Sequence, residues 1–352
     1  MFEALLRDWD GEFVATRFDA ETGAWLFVGV HSTVLGPGFG GTRMKVYGAP
    51  EDALGDVLRL SSAMTWKNAL AGIDFGGGKS VLAVPGIPSD EDRRALLERY
   101  ADLVASLGGS YVTACDMNTT ERDMDIVGER CPHVMGRSVE AGGSGTSAPD
   151  TALGVFHGIR AAVAHAFGAP DLTGRTVAIQ GAGAVGAPLA GLLAEAGASI
   201  AIADVDRERA VALASQVGAT VVGPDGILAF ACDVFAPCAT GGVLSADTIP
   251  TLRCAVVAGA ANNQLSDPED ADRLAERGIL YAPDFVVNAG GVLHLVGYER
   301  LGWSPVEMTA RLAGIGGTLD RVLDLSASDG ITPQAAAMLI ARERVQAARV
   351  SA

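Results

Sequence analysis

The sequence predicts an α/β protein of two domains, a mixed α/β amino-terminal domain followed by a doubly wound parallel sheet. Three observations carry that prediction. The chain has 352 residues, more than the roughly 250–300 that a single core organises. The stretch "AGGSGTSAPD", residues 141–150, is rich in small residues and marks a border. Beyond it short apolar runs alternate with helical stretches, the pattern of a parallel sheet covered by helices. The expected domains are 1–148, with 330–352 returning to it, and 149–329.

In the first half, "GEFVATRFD" and "AWLFVGVHS" read as strands joined at "AETG" as a hairpin. "GPGFGGTRM" reads as a glycine-rich turn. Residues 51–69 have helical spacing, with Leu54, Leu58 and Met64 able to share a face and Lys67 near the end. A second glycine turn, "GGG", leads into a buried strand, "KSVLAVP". Ser89 is placed to cap a helix over 90–107. "SYVTACD" is a strand ending at Asp116. "TTERDMDIVGER" reads as a solvated helix. A connecting helix over 151–167 follows the border. The later strands are "TVAIQ", "ASIAIAD", "TVVG", "DVFAPCA" and "CAVVAGA", and helices over 305–325 and 332–350 close the chain.

Composition narrows the function. Hydrophobic residues make up 49% and charged ones 19%, which suits large folded cores. The net charge of −16 repels phosphate backbones, so no nucleic-acid partner is expected. No long apolar core suggests a signal peptide or a membrane span, and a cytoplasmic protein is expected. Cys115, Cys131, Cys232, Cys238 and Cys254 lack CxxC spacing and read as packed thiols. His31, His133, His157, His165 and His294 show no metal-ligand spacing, so no metal is expected; His294 could rim a pocket.

The most specific local signal is "TVAIQGAGAVGAPLAGLLAEAGASIAIAD". A strand feeds Gly181, Ala182, Gly183, Ala184, Val185 and Gly186, and a helix follows. Gly181 permits a tight turn, Gly183 lets the backbone approach a pyrophosphate, and Gly186 lets the helix pack close. The helix N-terminus offers N–H groups to the phosphates. The next strand ends at Asp204, eighteen positions after Gly186. A carboxylate there can accept ribose hydroxyls and repels a 2′-phosphate, which predicts a Rossmann domain binding NAD rather than NADP.

"DFGGGKSVL" sets three glycines against Lys79, and Lys67 lies twelve positions upstream. Glycines remove bulk so that a substrate can approach one amine. A lysine in a partly dry cleft beside a second lysine loses proton affinity and becomes a base near neutral pH. The second lysine can hold a carboxylate, and Asp116 can exchange protons with an amine. "GIDFGGGKS" also matches the phosphate-loop pattern, which leaves a nucleotidase as a rival. That loop should run from strand into helix, whereas here a helix precedes and a strand follows. A catalytically silent NAD-binding sensor is a second rival.

Taken together, "GPGFGGTRM", "MTWKNALAGIDFGGGKSVL", "TACDMNTTERDMD", "GAGAVG", "DVFAPCATGGV", "VVAGAANNQL" and "GILYAPDFVVNAGGV" resemble the glutamate, leucine, phenylalanine and valine dehydrogenases over nearly the whole chain. The resemblance implies oxidative deamination of an amino acid to a 2-oxo acid and ammonia, an oligomer, and a first domain that binds the substrate across a cleft from NAD. It implies that Lys67 binds the substrate carboxylate, Lys79 activates water and Asp116 shuttles a proton. Asn262 would contact substrate carboxylate or nicotinamide. Gly40 and Gly41 would line the cleft, and Thr151 would sit near the nicotinamide amide. Cys238, Ala239 and Ala260 would join the glycine turn in holding the coenzyme. Phe39, Ala114, Val292 and Leu295 match positions lining the side-chain pocket. Glutamate-specific members carry a lysine where Phe39 stands, so an apolar substrate is implied. Ala114 and Val292 favour a branched aliphatic side chain; "HLVGYERLGW" resembles phenylalanine enzymes, and both substrates stay open.

Overall fold

A computed structural model describes residues 2–351, and in it the chain divides into two units. The first holds residues 1–146, 295–302 and 341–352; the second holds 147–294 and 303–340. The change of unit at 146/147 lies two residues from the expected 148/149 border. The return begins at Ala341 rather than at residue 330, and the short segment 295–302, which no sequence pattern announced, also packs into the first unit.

The first unit opens with helix α1 (Phe2–Trp9), then strands β1 (Phe13–Asp19), β2 (Ala24–Ser32) and β3 (Gly38–Lys45). Helix α2 (Pro50–Leu70), β4 (Gly76–Ala83), α3 (Asp90–Ser106), β5 (Tyr111–Cys115) and α4 (Glu121–Gly128) follow. The five-stranded sheet has the order β1-β2-β4-β3-β5. β1 and β2 form the expected antiparallel hairpin, β4 is antiparallel to β2, and β3 runs parallel to β4 and β5. Alternation of side chains gives the sheet two buried faces. Phe27 and Val81 pack with Leu54 and Val57 of α2. Leu26, Val28 and Leu82 pack with Leu97 and Tyr100 of α3. Each such side chain contributes about 1.5–3 kcal/mol by leaving water. Ser89 caps α3, its Oγ accepting from Asp92 N at 3.3 Å.

Three readings are corrected here. "GPGFGGTRM" is no turn but contains β3, which lies between two other strands. The "GGG" of residues 76–78 is likewise the start of β4. Glycine is poorly suited to strands, but packing demands it here. A Cβ on Gly40 would stand 1.9 Å from Gly78 O, and one on Gly76 would stand 1.8 Å from Ser32 O. The third correction is α4, which is not solvated all round. Its Met124 and Val127 are buried, and buried Asp123 binds Arg93 Nε at 2.7 Å.

The second unit begins with α5 (Ala148–Phe167), starting three residues before the expected 151. It continues through β6 (Thr176–Gln180), α6 (Gly186–Glu195), β7 (Ser199–Ala203), α7 (Arg207–Val217), β8 (Thr220–Val221), β9 (Val234–Pro237) and β10 (Val256–Val257). Next come α8 (Asp270–Glu276), β11 (Leu280–Tyr281), α9 (Asp284–Val287) and α10 (Gly290–Val296). α11 (Pro305–Asp329) and α12 (Pro333–Ser351) end the chain. The six-stranded sheet is parallel, in the order β11-β10-β9-β6-β7-β8. This is the doubly wound arrangement whose order reverses between β6 and β9, the place where such sheets hold ligands. No helix among the described residues is long and apolar enough to cross a membrane.

The last part of α12 belongs to the first unit and secures the end of α2. Arg344 donates to the carbonyls of Ala69 (2.6 Å) and Ile73 (3.0 Å) and pairs with Asp74 at 2.9 Å. It thereby adds a charged donor to carbonyls at and just beyond the helix C-terminus.

Candidate active site

Lys67 lies in the last turn of α2, half-buried. The residues around it on the helix rest on the sheet. Asn68 Nδ2 donates to Gly76 O at 2.6 Å. A Cβ on Gly77 would stand 1.9 Å from Thr65 Oγ1 and 2.3 Å from Thr65 N; one on Gly40 would stand 3.1 Å from Met64. On Gly78 it would meet the Tyr111 ring at 2.6 Å. The sequence reading gave the triple glycine to substrate access. The correction is that these glycines admit the protein's own atoms: Gly77 seats α2 on β4, while Gly76 and Gly78 make room for Ser32 O and the Tyr111 ring.

Lys79 follows those glycines on β4 and is 5% exposed. Its Nζ lies 3.1 Å from Asp116 Oδ1. Asp116 directly follows β5, and its backbone N–H donates to Thr119 Oγ1 at 2.9 Å. A Cβ on Gly41 would stand 2.8 Å from Asp116 Cβ, so glycine there lets β3 pass against the carboxylate. The other oxygen of Asp116, Oδ2, accepts from Arg43 Nε at 2.9 Å. Sequence reasoning missed Arg43, although it stands within the quoted "GPGFGGTRM".

Burial alone would push the Asp116 carboxyl up, but the charges of Lys79 and Arg43 and their hydrogen bonds outweigh it and hold the group well below the usual carboxylate range. Burial pushes the Lys79 amine down from the ordinary lysine value; Asp116 pulls it back up, and Arg43 presses it further down. The expected causes were a partly dry cleft and a neighbouring lysine. Loss of water is the chief cause, and the correction concerns the cation, which is Arg43. A dry amine that gives up its proton below the ordinary lysine range, beside an ionised carboxylate, suits proton transfer.

In the second unit, the turn after β6 runs beside the segment after β9. Gly181 takes φ +107°, and a Cβ on it would lie 3.0 Å from the Cys238 carbonyl and 3.1 Å from Ala239 Cβ. A Cβ on Gly186 would strike Gly181 O at 1.9 Å, whereas one on Gly183 would meet no atom of the described residues within 4 Å. The space over Gly183 fits backbone approach by a pyrophosphate, with Ala184 and Val185 leading into α6. Asp204 Oδ2 accepts from Ala182 N at 2.7 Å, which holds the carboxylate beside the turn. These residues fit a dinucleotide. Ala260 O accepts from Asn288 Nδ2 at 3.1 Å, and Asn262 Oδ1 accepts from the same nitrogen at 2.9 Å. Asn288, absent from the sequence expectations, thus orients the Asn262 amide.

Val292 is 8% exposed on α10. The start of that helix lies close to α5, since a Cβ on Gly291 would stand 3.0 Å from Thr151 Oγ1. Thr151 Oγ1 itself donates to Ser147 O at 2.9 Å. His294 is buried, with Nδ1 2.8 Å from Asp150 Oδ2. In the first unit, Ala114 and Phe39 are buried, and the Phe39 ring meets that of Phe75 edge-on, with centroids 5.6 Å apart. Leu295 lies 3.6 Å from the Cβ position of Gly136. "GIDFGGGKS" runs from α2 into β4, the reverse of the strand-to-helix order a phosphate loop needs.

Residues 20–133 match the family model described as Glu/Leu/Phe/Val dehydrogenase, dimerisation domain. Residues 142–212 and 201–352 match that of glutamate/leucine/phenylalanine/valine dehydrogenase. Among curated relatives, leucine dehydrogenase of Geobacillus stearothermophilus is 40% identical over 98% of this chain and 93% of its own. Valine dehydrogenase of Streptomyces virginiae is 44% identical over 94% of this chain and 92% of its own. Among solved structures, L-tryptophan dehydrogenase from Nostoc punctiforme superposes with a TM-score of 0.85 at 36% identity, covering 99% of both chains.

Proposed function

This chain belongs to the Glu/Leu/Phe/Val dehydrogenase family, and from that premise we propose that it carries out the reversible NAD-dependent oxidative deamination of a hydrophobic L-amino acid. The observation that carries the reading is the Lys79–Asp116 pair, an amine and a carboxylate 3.1 Å apart in a nearly dry setting.

Lys67 binds the substrate carboxylate as a fixed positive charge. When bound by the turn at Gly181, Gly183 and Gly186, NAD supplies a hydride acceptor for the substrate Cα. Asp116 takes a proton from the substrate nitrogen and returns one as ammonia leaves. Lys79 removes a proton from the water that adds to the substrate imine, and the product is the 2-oxo acid. Asn262, oriented by Asn288, steadies the substrate carboxylate or the nicotinamide, and Thr151 its amide. Gly40 and Gly41 keep the approach to Asp116 narrow.

Phe39, Ala114, Val292 and Leu295 face the substrate side chain in this proposal. None of them can neutralise a charge, so a glutamate side chain would be buried unpaired, at a cost of several kcal/mol. Leucine or valine is preferred, as the names of the curated relatives suggest, with phenylalanine close behind. A kcat/KM panel over Leu, Val, Ile, Phe, Trp and Glu is expected to place branched aliphatic substrates first, each within about 10–200-fold of its neighbours. Strong preference for glutamate would overturn the pocket assignment. No turnover with any of them, alongside tight NAD binding, would favour a silent sensor.

NAD is preferred over NADP because Asp204 repels a 2′-phosphate. Fluorescence titration is expected to give NAD the lower Kd, and Asp204→Ala is expected to shrink the difference; tighter NADP binding by the parent protein would refute the role of Asp204. The family description of residues 20–133 as a dimerisation domain supports a homo-oligomer.

A further inference from the structure

Asp116 carries a cation on each oxygen, and the two are held differently. Lys79 approaches Oδ1 on a flexible stem. Arg43 meets Oδ2 through Nε at 2.9 Å and is itself fixed from behind, its Nη1 3.0 Å from Asp56 Oδ2. Asp56 in turn accepts from Tyr47 Oη on Oδ2 and from Arg59 Nη2 on Oδ1, both at 2.7 Å. The side chains of Arg43 and Asp56 are each 12% exposed, while that of Arg59 is 54% exposed. A line of charges therefore runs inward from solvent, across α2 and β3, and ends on Asp116. A guanidinium suits the middle of it, because its donors are planar and fixed and can hold two carboxylates at a set angle.

We propose that Arg43, held by Asp56, is a positioning residue for the deamination: it occupies Oδ2 of Asp116, reserves Oδ1 for proton exchange, and keeps that oxygen aimed at Lys79. The proposal rests on the roles given above to Lys79 and Asp116. Asp56 lies too far along the chain from the glycine motifs to be read with them. Tyr47 contributes here as a donor; burial pushes its hydroxyl up, and the bond to Asp56 adds to this.

Arg43 also acts on the Lys79 amine through space, alongside Asp116 and Asp56. Removing its charge removes a repulsion, so the amine keeps its proton to higher pH. Arg43→Gln, Arg43→Lys and Tyr47→Phe test the proposal in the full-length protein. kcat and KM are measured against pH with leucine and NAD. Acetylation of Lys79 by acetic anhydride is followed against pH by mass spectrometry, which needs no turnover. Arg43→Gln is expected to lower kcat about 10²-fold and to move both the rising limb and the acetylation midpoint up by about one pH unit. Arg43→Lys restores the midpoint but only part of kcat, because a rotatable ammonium lacks the planar fork that fixes both carboxylates at a set angle. Tyr47→Phe removes one hydrogen bond from Asp56 and lowers kcat severalfold with KM for NAD unchanged.

A folded Arg43→Gln protein with kcat within about twofold of the parent and an unmoved midpoint overturns the proposal. If Arg43→Gln does not fold, an unchanged kcat in Tyr47→Phe overturns it instead. A parent enzyme silent toward every amino acid defeats the dehydrogenase reading, and the acetylation midpoints then decide on Arg43 alone.

Discussion

Lys79→Met is expected to lower turnover about 10³-fold while the affinity for NAD stays unchanged. The size follows from what the amine is asked to do. A positioned base contributes about 10²–10⁴-fold, and no second neutral amine stands on Asp116 to replace it, since Arg43 stays protonated. The substitution keeps the unbranched stem and drops only its terminal atom, so β4 and its seat under α2 are expected to survive. It also leaves Asp116 paired with Arg43, which avoids an orphaned buried charge. The coenzyme turn lies in the other unit and is untouched. The pH profile gives the sharper check. The base must be neutral to act, so the parent's kcat/KM rises as pH climbs through the Lys79 pKa. Burial places that limb below the ordinary lysine range. The residual activity of Lys79→Met has no such limb. Near-normal turnover, or an unaltered limb, would end the role given to Lys79.

What could be read without coordinates was what is local. Strand, glycines, helix and Asp204 follow one another within one stretch of chain, and each step restrains the next. Asp116 was legible because a strand pattern stops at it. The two glycine segments were misread for a physical reason: glycine weakens a strand in isolation, so "GFGG" and "GGG" look like turns. They become strands only because Ser32 O, Thr65, Gly78 O and the Tyr111 ring occupy the space that side chains would need. Those neighbours come from distant parts of the chain. Arg43 and Asp56 were missed for the same reason. They sit thirteen positions apart on a strand and a helix, and nothing in their spacing says that a guanidinium will bridge Asp56 to Asp116. The 295–302 segment looked like more of the second domain because its packing partners, among them Gly136 and Ser144 on Glu299, lie far upstream.

Gly77→Ala is expected to destabilise the protein by about 3 kcal/mol or more, through overpacking rather than backbone preference. Gly77 has no unusual φ; its constraint is the 1.9 Å to Thr65 Oγ1 and 2.3 Å to Thr65 N. A hydroxyl could rotate aside, but the helix backbone cannot, so α2 must lift from β4. The melting temperature is expected to fall by about 6–12 °C. Because α2 carries Lys67, KM for the amino acid should rise even in molecules that remain folded. Gly183→Ala is the contrasting case. Its Cβ meets no atom of the described residues within 4 Å, so the melting temperature should hold while Kd for NAD rises about tenfold, the methyl standing where the pyrophosphate must approach. The two substitutions are chemically identical. If Gly77→Ala melted with the parent protein, or Gly183→Ala bound NAD as tightly, then the separation drawn between glycines that seat the protein's own helix and a glycine that admits a ligand would be wrong.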